Sequence, residues 1–277
     1  MKQMPTMLLT VMVMMITGCA GVPAAPGGQP LGTPDQPTGQ AAPAADPVGP
    51  VTGQLPQAPT TPAPAGGGRV ICIDPGHPSE TAAGAAANGA TEVTVCWQVA
   101  NKLKPLLEAQ GLKVVMTKGS ERELVTNQRR AEIANENGAT LSIRLHAEDV
   151  PNQKGFRLYY PDRQGTHSSG KVGPSQGIIT ESGKAAQAVM NGMRQVLTML
   201  TPLDIRGDSQ TQVGSTQGAL TGSIFSTVPV VLCEMVVLRD PSDAQFILSD
   251  DGQNTMAKAL AAGIGEYLKV APQTPPQ

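Results

Sequence analysis

An apolar, β-branched stretch that ends in a turn and a histidine constrains this chain more than any other feature. Residues 70–73 read Val-Ile-Cys-Ile, which is typical of a buried strand. Asp74, Pro75 and Gly76 follow, and they favour a turn because proline fixes φ and glycine permits close backbone approach. His77 comes next, at the carboxyl end of the predicted strand, where α/β sheets place their sites. We therefore expect chemistry at this edge of a sheet.

The first nineteen residues have the composition of a targeting segment. Lys2 supplies a positive charge, and residues 7–16 are mostly apolar but too few to span a bilayer. The run Ile16-Thr17-Gly18-Cys19 resembles a bacterial lipobox, in which cleavage precedes the cysteine and the cysteine receives lipid. An ordinary secretory signal with a chance cysteine is the alternative. We predict a lipoprotein signal peptide over 1–18 and lipidation of Cys19.

A proline- and glycine-rich segment separates this leader from the rest of the chain. Residues 20–68 contain 12 of the 25 prolines, ten glycines and two charged residues. Such a segment cannot bury enough apolar surface to offset the entropy of ordering, so the lipidated cysteine and a linker are predicted over 19–68. Residues 69–270 suffice for one domain with a sizeable core, and 271–277 are expected to form a disordered tail. The lipid predicts a location in the bacterial cell envelope, either on the outer side of the cytoplasmic membrane or in the outer membrane.

Charge and cysteine content exclude several classes of protein. The formal net charge is −2, from 20 basic and 22 acidic residues, and aromatic residues make up 3% of the chain. This balance does not favour nucleic acid as a partner. The four cysteines include no CxxC pair, so a disulfide scaffold is not predicted. Cys72, Cys96 and Cys233 lie in apolar patterns and are expected to pack in the core, and a Cys72–Cys233 disulfide is the alternative if their strands are neighbours.

Strand and helix patterns alternate along the predicted domain. After the first strand, we predict helices over 92–110, 127–137 and 182–200, and strands over 112–117, 140–147, 155–160 and 228–234. Residues 201–227 are predicted to be irregular, and short helical segments are predicted from Asp240 to near Lys269. The alternation predicts an α/β fold with three layers in a single domain, in which a mostly parallel central sheet is flanked by helices.

Four side chains carry the candidate chemistry. His77 and His146 each end a predicted strand, Glu92 begins the first helix, and Glu234 ends the last strand. Strand ends and helix starts on one edge of an α/β sheet converge in space. Two histidines and one glutamate leave a fourth position open for water, which is the ligand set of a catalytic zinc site. Glu234 would then be the carboxylate that takes the proton of that water and hands it to the leaving amine.

The two histidines and Glu92 also have a purely structural interpretation, which is harder to give for Glu234. A histidine at a strand end is often a hydrogen-bonded core residue, and the helix dipole favours a carboxylate at the position of Glu92. Glu234 follows a mostly apolar run, where burying a carboxylate without a partner is costly. No HExxH motif occurs, which excludes the helix-borne arrangement of zinc proteases. His167 lies in a Gly- and Ser-rich loop and is predicted to be solvated.

Four stretches of the domain resemble the type 3 zinc-dependent N-acetylmuramoyl-L-alanine amidases, which trim bacterial cell walls. In the family's order these are 70–77, Glu92 with the helix and strand that follow it, 127–147, and 228–234. The resemblance implies hydrolysis of the amide bond between the lactyl group of N-acetylmuramic acid and L-alanine in peptidoglycan. It also implies Zn²⁺ held by His77, Glu92 and His146, with Glu234 as general base and then general acid.

The sequence departs from the family's pattern beside the implied site. Pro78-Ser79 stand where the family usually has Gly-Gly, Arg144-Leu145 precede the second histidine where Ser-Ile is common, and Met235-Val236 follow Glu234 in place of Gly-Phe. Two alternatives therefore stay in view. One is a non-catalytic peptidoglycan-binding lipoprotein on the same fold, and the other is a zinc peptidase of stem peptides.

Arg144 has two interpretations of its own. Strand alternation places it on the same face as His146, so it could orient a carboxylate of the stem peptide. The favoured interpretation is that it packs or pairs under the sheet edge. The resemblance and the lipid on Cys19 predict two partners, peptidoglycan and a membrane. An unidentified activator is a further candidate.

Overall fold

The computed structural model describes residues 68–272. The predicted signal peptide, Cys19, the linker up to residue 67 and residues 273–277 of the tail lie outside the described residues. The strands, in chain order, are β1 (Val70–Pro75), β2 (Ala86–Ala87), β3 (Ala90–Thr91), β4 (Lys113–Met116), β5 (Leu141–Glu148), β6 (Phe156–Tyr160), β7 (Gly165–Thr166), β8 (Val172–Gly173), β9 (Pro202–Gly207) and β10 (Val230–Val237). The α-helices are α1 (Glu92–Glu108), α2 (Asn127–Glu136), α3 (Gln176–Val196), α4 (Gln212–Gln217), α5 (Thr221–Ile224), α6 (Pro241–Leu248) and α7 (Asp250–Val270).

Six of the strands form the central sheet, in the order β4-β1-β5-β10-β6-β9. The first four strands in this order run parallel to one another. β6 pairs antiparallel with β10, and β9 pairs parallel with β6. The prediction of a mostly parallel sheet flanked by helices is therefore confirmed. The four parallel strands all end at one edge, which is the edge where such sheets carry their sites.

Strand alternation gives this sheet two unequal faces. Ile71 and Ile73 belong to a large apolar core that also includes residues of α1, α3 and α7. Cys72 belongs to a much smaller apolar cluster with Ala134 of α2. Toward the carboxyl ends of the strands, the face with α2 carries a row of buried polar residues, namely Asp74, Ser142, Arg144, His146 and Arg157. Polar chemistry is therefore concentrated on the face that is less covered by helices.

The helices α3 and α7 cover the large core through close backbone contact. A Cβ on Gly192 would lie 2.6 Å from the Cα of Gly263, so only small residues allow this approach. The predictions for this region were wrong: α3 begins at Gln176 rather than at 182, and the short segments predicted up to Lys269 are α6 and a 21-residue α7. Several glycines lower the helix propensity of α7, and its packing on α3 overrides that preference. No helix in the described part of the chain has the length and apolar content needed to cross a membrane.

The region predicted to be irregular, 201–227, contains the sixth strand of the sheet. β9 lies at the edge and pairs only with β6, and α4 and α5 follow it. Its charged residues Asp204 and Arg206 pair with each other at 2.7 Å. Charged side chains are characteristic of edge strands, and they obscured the short alternating pattern in the sequence.

The three described cysteines are buried free thiols. β5 separates β1 from β10 in the sheet, so Cys72 and Cys233 do not lie on neighbouring strands. Burial, together with the negative charge of Asp74, raises the pKa of Cys72 to about 12. These residues therefore pack as small apolar groups, and the alternative of a disulfide between them is wrong.

A buried ion-pair network ties β1 to β5 and α2. Asp74 is 1% exposed, and its two carboxylate oxygens accept hydrogen bonds from Arg130 Nη1 at 2.6 Å and from Arg144 Nε at 2.8 Å. Thr117 Oγ1 donates a third bond at 2.5 Å. Burial alone would raise the pKa of Asp74, but the two guanidiniums outweigh it and hold the pKa well below its usual range. The carboxylate therefore stays ionised between its two cationic partners.

Asp74→Asn is predicted to lower the free energy of unfolding by about 3–5 kcal/mol, because it leaves two buried guanidiniums without their counter-charge. Since the pKa of Asp74 is depressed in the folded state, this contribution is complete above the unfolded-state pKa of about 3.9 and is lost as the pH falls below it. Urea denaturation of both proteins at neutral and acidic pH measures the difference. Glu136→Gln removes an exposed partner of Arg129 and is the control, with little expected change. Equal midpoints for the wild type and Asp74→Asn at neutral pH would contradict this account.

Candidate metal centre

Three of the four predicted site residues meet at the carboxyl edge of the sheet. The Nε2 atom of His77 lies 3.4 Å from Glu92 Oε2, and the Nδ1 atom of His146 lies 2.9 Å from Glu92 Oε1. Potential ligand atoms of the three residues all lie within 4.8 Å of one another. In the described residues this is the one group of three or more His, Cys, Asp or Glu side chains close enough to hold a metal ion.

Glu92 reaches the site from the opposite face of the sheet. It is the first residue of α1 and is 5% exposed. The backbone N–H groups of Ala85 and Ala147 donate to its two carboxylate oxygens at 2.8 and 3.1 Å. These bonds fix the carboxylate over the end of β5, and the helix dipole favours a negative charge there.

Gly76 allows the two histidines to approach each other. Its N–H donates to the carbonyl of Leu145 at 2.8 Å, and a Cβ on Gly76 would lie 2.8 Å from Cε1 of His146. The imidazole rings of His77 and His146 consequently lie 5.0 Å apart, edge to face. Nδ1 of His77 lies 3.2 Å from the carbonyl oxygen of Ala82. If Nδ1 carries the proton for this bond, Nε2 is left with its lone pair for a ligand.

Two cationic residues hold the loop that carries His77. Arg130 donates to the carbonyl oxygens of Pro75 and Pro78 at 2.6 and 2.9 Å. Lys118 donates to the carbonyl oxygen of His77 itself at 2.5 Å. The sequence interpretation missed both roles. The one signal available for Arg130 was its place in the 127–147 stretch, which resembles the family. A buried arginine needs hydrogen-bond acceptors, but the sequence does not say which groups supply them.

The ionisation of Glu92 and His146 suits a metal site. Burial lowers the pKa of His146, so its ring is neutral near pH 7. Burial alone would raise the pKa of Glu92, but the hydrogen bond from His146 and the nearby imidazoles outweigh it and lower the pKa to about 2. A neutral imidazole and an ionised carboxylate are the forms that bind metal.

The donor set and its spacing fit a zinc ion. Zinc in catalytic sites takes imidazole nitrogens and carboxylate oxygens at about 2.0–2.2 Å, which puts adjacent tetrahedral ligands about 3.3–3.5 Å apart. The 3.4 Å contact between His77 Nε2 and Glu92 Oε2 matches this spacing, whereas the 2.9 Å contact between His146 Nδ1 and Glu92 Oε1 is a hydrogen-bond distance. Nε2 of His146 is also buried with no hydrogen-bond partner among the described residues. Leaving a buried nitrogen without a hydrogen-bond partner costs free energy.

Glu234 lies one strand away from His146, directly opposite it in the register of β10 and β5. The prediction that β10 ends at Glu234 was wrong, since the strand continues to Val237 after a shift in register. Oε2 of Glu234 is buried and has no hydrogen-bond partner in the described residues. Burial, with the charges of Glu92 and Glu148, raises its pKa well above the usual range. Glu234 is therefore a carboxyl group that holds a proton far more readily than an exposed glutamate.

A cavity of about 400 Å³ joins these groups. Its walls include His77, His146, Glu234 and Arg144, together with residues of the segment that follows β9. That segment is fixed by Asp208, whose carboxylate accepts a hydrogen bond from Ser223 at 2.5 Å. Burial raises the pKa of Asp208 to about 6.

The third histidine of the chain lies apart from this cluster. Nδ1 of His167 is 2.9 Å from Ser169 Oγ, and its ring packs edge to face on Phe225 at 5.2 Å. It does not line the cavity that contains His77 and His146. This arrangement makes His167 a suitable control for metal binding.

Residues 71–266 match the family model of the N-acetylmuramoyl-L-alanine amidases, Amidase_3. The chain belongs to this family. The match covers the three clustered residues, Glu234 and all six strands of the central sheet from Ile71 onward. The resemblance inferred from the sequence is therefore confirmed.

Known amidases resemble this chain across most of the described region. AmiA of Escherichia coli is 25% identical over 224 residues, which cover 73% of this chain and 77% of AmiA. The germination-specific amidase of Bacillus subtilis is 24% identical over 215 residues, covering 72% of this chain and 80% of that protein. The structure of amidase AmiC2 of Nostoc punctiforme aligns with a TM-score of 0.59 at 25% identity, covering 74% of this chain and 99% of AmiC2.

The full chain is predicted to retain one zinc ion after zinc loading and desalting, as measured by elemental analysis. The zinc content of His146→Ala should be lower by about tenfold or more, because the substitution removes one of three protein ligands. His77→Ala should show the same loss of zinc. Because His77 is less buried, this second variant shows that the loss does not come from misfolding of His146→Ala. His167→Ala should retain zinc as the wild type does. A wild-type chain that takes up no zinc would contradict the assignment of this site.

Proposed function

We propose that this amidase hydrolyses the amide bond between the lactyl group of N-acetylmuramic acid and L-alanine in peptidoglycan, with zinc held by His77, Glu92 and His146. The single observation that carries the proposal is the proximity of this His-Glu-His cluster to Glu234 at one cavity of an amidase-family domain. A zinc ion held there would supply Lewis-acid activation of water and of the scissile carbonyl.

Glu234 is the proposed general base and then general acid. Its pKa is raised by burial and by neighbouring carboxylates, which brings its proton affinity toward that of the groups it must serve. The unpartnered oxygen Oε2 is the atom with a free site for the proton. In this scheme Glu234 takes a proton from the attacking water and delivers it to the amine of L-alanine as the amide bond breaks.

The chain's own contacts prepare these groups before substrate arrives. The N–H bonds from Ala85 and Ala147 hold Glu92, and the bonds from Arg130 and Lys118 hold the loop of His77. Such preorganisation means that little reordering is needed at the moment of reaction. The altered residues beside the site, such as Pro78 and Met235, leave all four proposed functional residues in place.

We further propose that lipid on Cys19 anchors the amidase to a membrane of the cell envelope and that the linker lets the domain reach peptidoglycan. The support for this is the Ile16-Thr17-Gly18-Cys19 motif and the proline- and glycine-rich composition of residues 20–68. As a coil, a linker of this length spans roughly 40 Å. Mass spectrometry of the membrane fraction tests the lipid, and a Cys19→Ser variant that stays membrane-bound would contradict it.

Glu234→Gln is predicted to lower kcat on purified peptidoglycan by about 10²–10⁴-fold while zinc content stays unchanged, because only the proton-transfer group is lost. Glu266→Gln, which removes an exposed partner of Lys269, is the matched control and should keep full activity. Release of intact stem peptides with a free N-terminal L-alanine supports the amidase. Shortened stems would support a stem peptidase instead, and zinc-loaded wild type that binds peptidoglycan without releasing product would support the binding lipoprotein.

A further inference from the structure

Arg144, in the wall of the cavity beside the proposed metal centre, belongs to an ion-pair network with more guanidiniums than carboxylates. Asp74 is the shared counter-ion of Arg130 and Arg144, so one carboxylate faces two guanidiniums. Other carboxylates nearby are already hydrogen-bonded: Glu80 accepts from Asn127, and Asp208 accepts from Ser223. Within the described residues, neither lies within ion-pair distance of Arg144. The ion-pair network of Asp74, Arg130 and Arg144 therefore contains two guanidiniums and one carboxylate.

The two arginines use their donors differently. Arg130 gives Nε, Nη1 and Nη2 to acceptors of the protein and does not line the cavity. Arg144 gives Nε to Asp74 and Nη2 to Asn127 at 2.9 Å, and its Nη1 has no acceptor among the described residues. Among the described residues, Nη1 of Arg144 is not one of the fully buried polar atoms that lack a hydrogen-bond partner. Arg144 therefore keeps donors for a ligand, whereas Arg130 does not.

The surroundings leave Arg144 open toward the cavity. It lines the cavity together with His77, His146 and Glu234. A Cβ on Gly222 would lie 3.0 Å from Nη1 of Arg144, so any residue larger than glycine at this position would crowd the guanidinium. The rest of the side chain is fixed by Asp74 and Asn127, which reduces the entropy lost when a ligand binds.

The spacing of Arg144 and His146 along β5 indicates which group Arg144 would meet. Arg144 precedes His146 by two residues on the same face of β5, which places their backbones about 6.6 Å apart. In a muramoyl peptide, a carboxylate on the Cα of the residue after L-alanine lies at most about 7 Å from the scissile carbonyl. A carboxylate at that position could therefore contact Arg144 while the scissile bond lies at His146.

We propose that Arg144 is a specificity-determining residue that binds a free carboxylate on the residue following L-alanine in the stem. The inference rests on the proposed amidase function and adds to it a preference for stems with this carboxylate over stems in which it is a primary amide. A guanidinium nitrogen without an acceptor suits a carboxylate, because the two form a charge-assisted hydrogen bond.

The test compares two synthetic muramoyl dipeptides that differ only in this group. One carries the free α-carboxylate and the other the primary amide, and the second carboxyl group is capped as an N-methylamide in both. The zinc-loaded wild type should show a kcat/KM at least about tenfold higher for the acid than for the amide. Arg144→Gln should bring this ratio close to one, and Arg144→Lys should restore part of it because the charge returns.

Arg130→Gln is the matched control, since it also removes a partner of Asp74 and disturbs the same network. It should lower kcat/KM for both compounds while leaving their ratio unchanged. The ratio is measured within one protein, so partial unfolding of a variant cancels from it. A wild-type ratio near one, or a ratio that Arg144→Gln does not change, would overturn the proposal.

Binding separates this proposal from the proposed function. Calorimetric titration of the zinc-loaded Glu234→Gln chain should show tighter binding of the acid than of the amide, and the difference should vanish when Arg144→Gln is added. Preferential binding without turnover by the wild type would keep the carboxylate site and refute the amidase. Turnover of both compounds without preferential binding would keep the amidase and refute the carboxylate site.

Discussion

The buried carboxylate of Asp74 is the contact on which the rest of the site depends. Its oxygens accept from Arg130 on α2 and Arg144 on β5, so one side chain ties together three elements. Arg130 then binds the carbonyl groups on either side of His77. Because an ion pair of this kind is costly to bury and costlier to break, its geometry is fixed. Through the hydrogen bonds of Arg130, the ion pair also fixes the position of the loop that carries His77.

The division of labour between the two sheet faces explains how a polar site is compatible with a stable domain. The face under α1, α3 and α7 is continuous apolar core, and it supplies the burial that folding requires. The other face carries charged residues near the carboxyl ends of β1, β5 and β10 and near the amino end of the antiparallel strand β6. Glu92 connects the two, since it starts a helix of the apolar face and bonds to His146 of the polar face.

Part of this arrangement could be predicted from the sequence because it depends on local patterns. β-Branched runs identified the inner strands, and residues at strand ends and a helix start identified His77, Glu92 and His146 as neighbours. Strand β9 was not predicted, because its alternating charged residues, Asp204 and Arg206, are typical of an edge strand and leave little apolar pattern in the sequence. The full length of α7 was not predicted because its glycines lower helix propensity, and packing against Gly192 of α3 explains one of them, Gly263. The pairing of Asp74 with two distant arginines is a tertiary contact that no local pattern specifies.

The central claim is that one edge of the sheet holds a zinc ion with three protein ligands and Glu234 beside it. Anomalous diffraction at the zinc edge, from crystals of the full chain grown with zinc, tests this claim most directly. The account predicts one strong peak within about 2.0–2.2 Å of a ring nitrogen of His77, a ring nitrogen of His146 and a carboxylate oxygen of Glu92, with Glu234 near the ion but not among its ligands. A peak bound by a different set of residues, or no peak at this edge of the sheet, would contradict it.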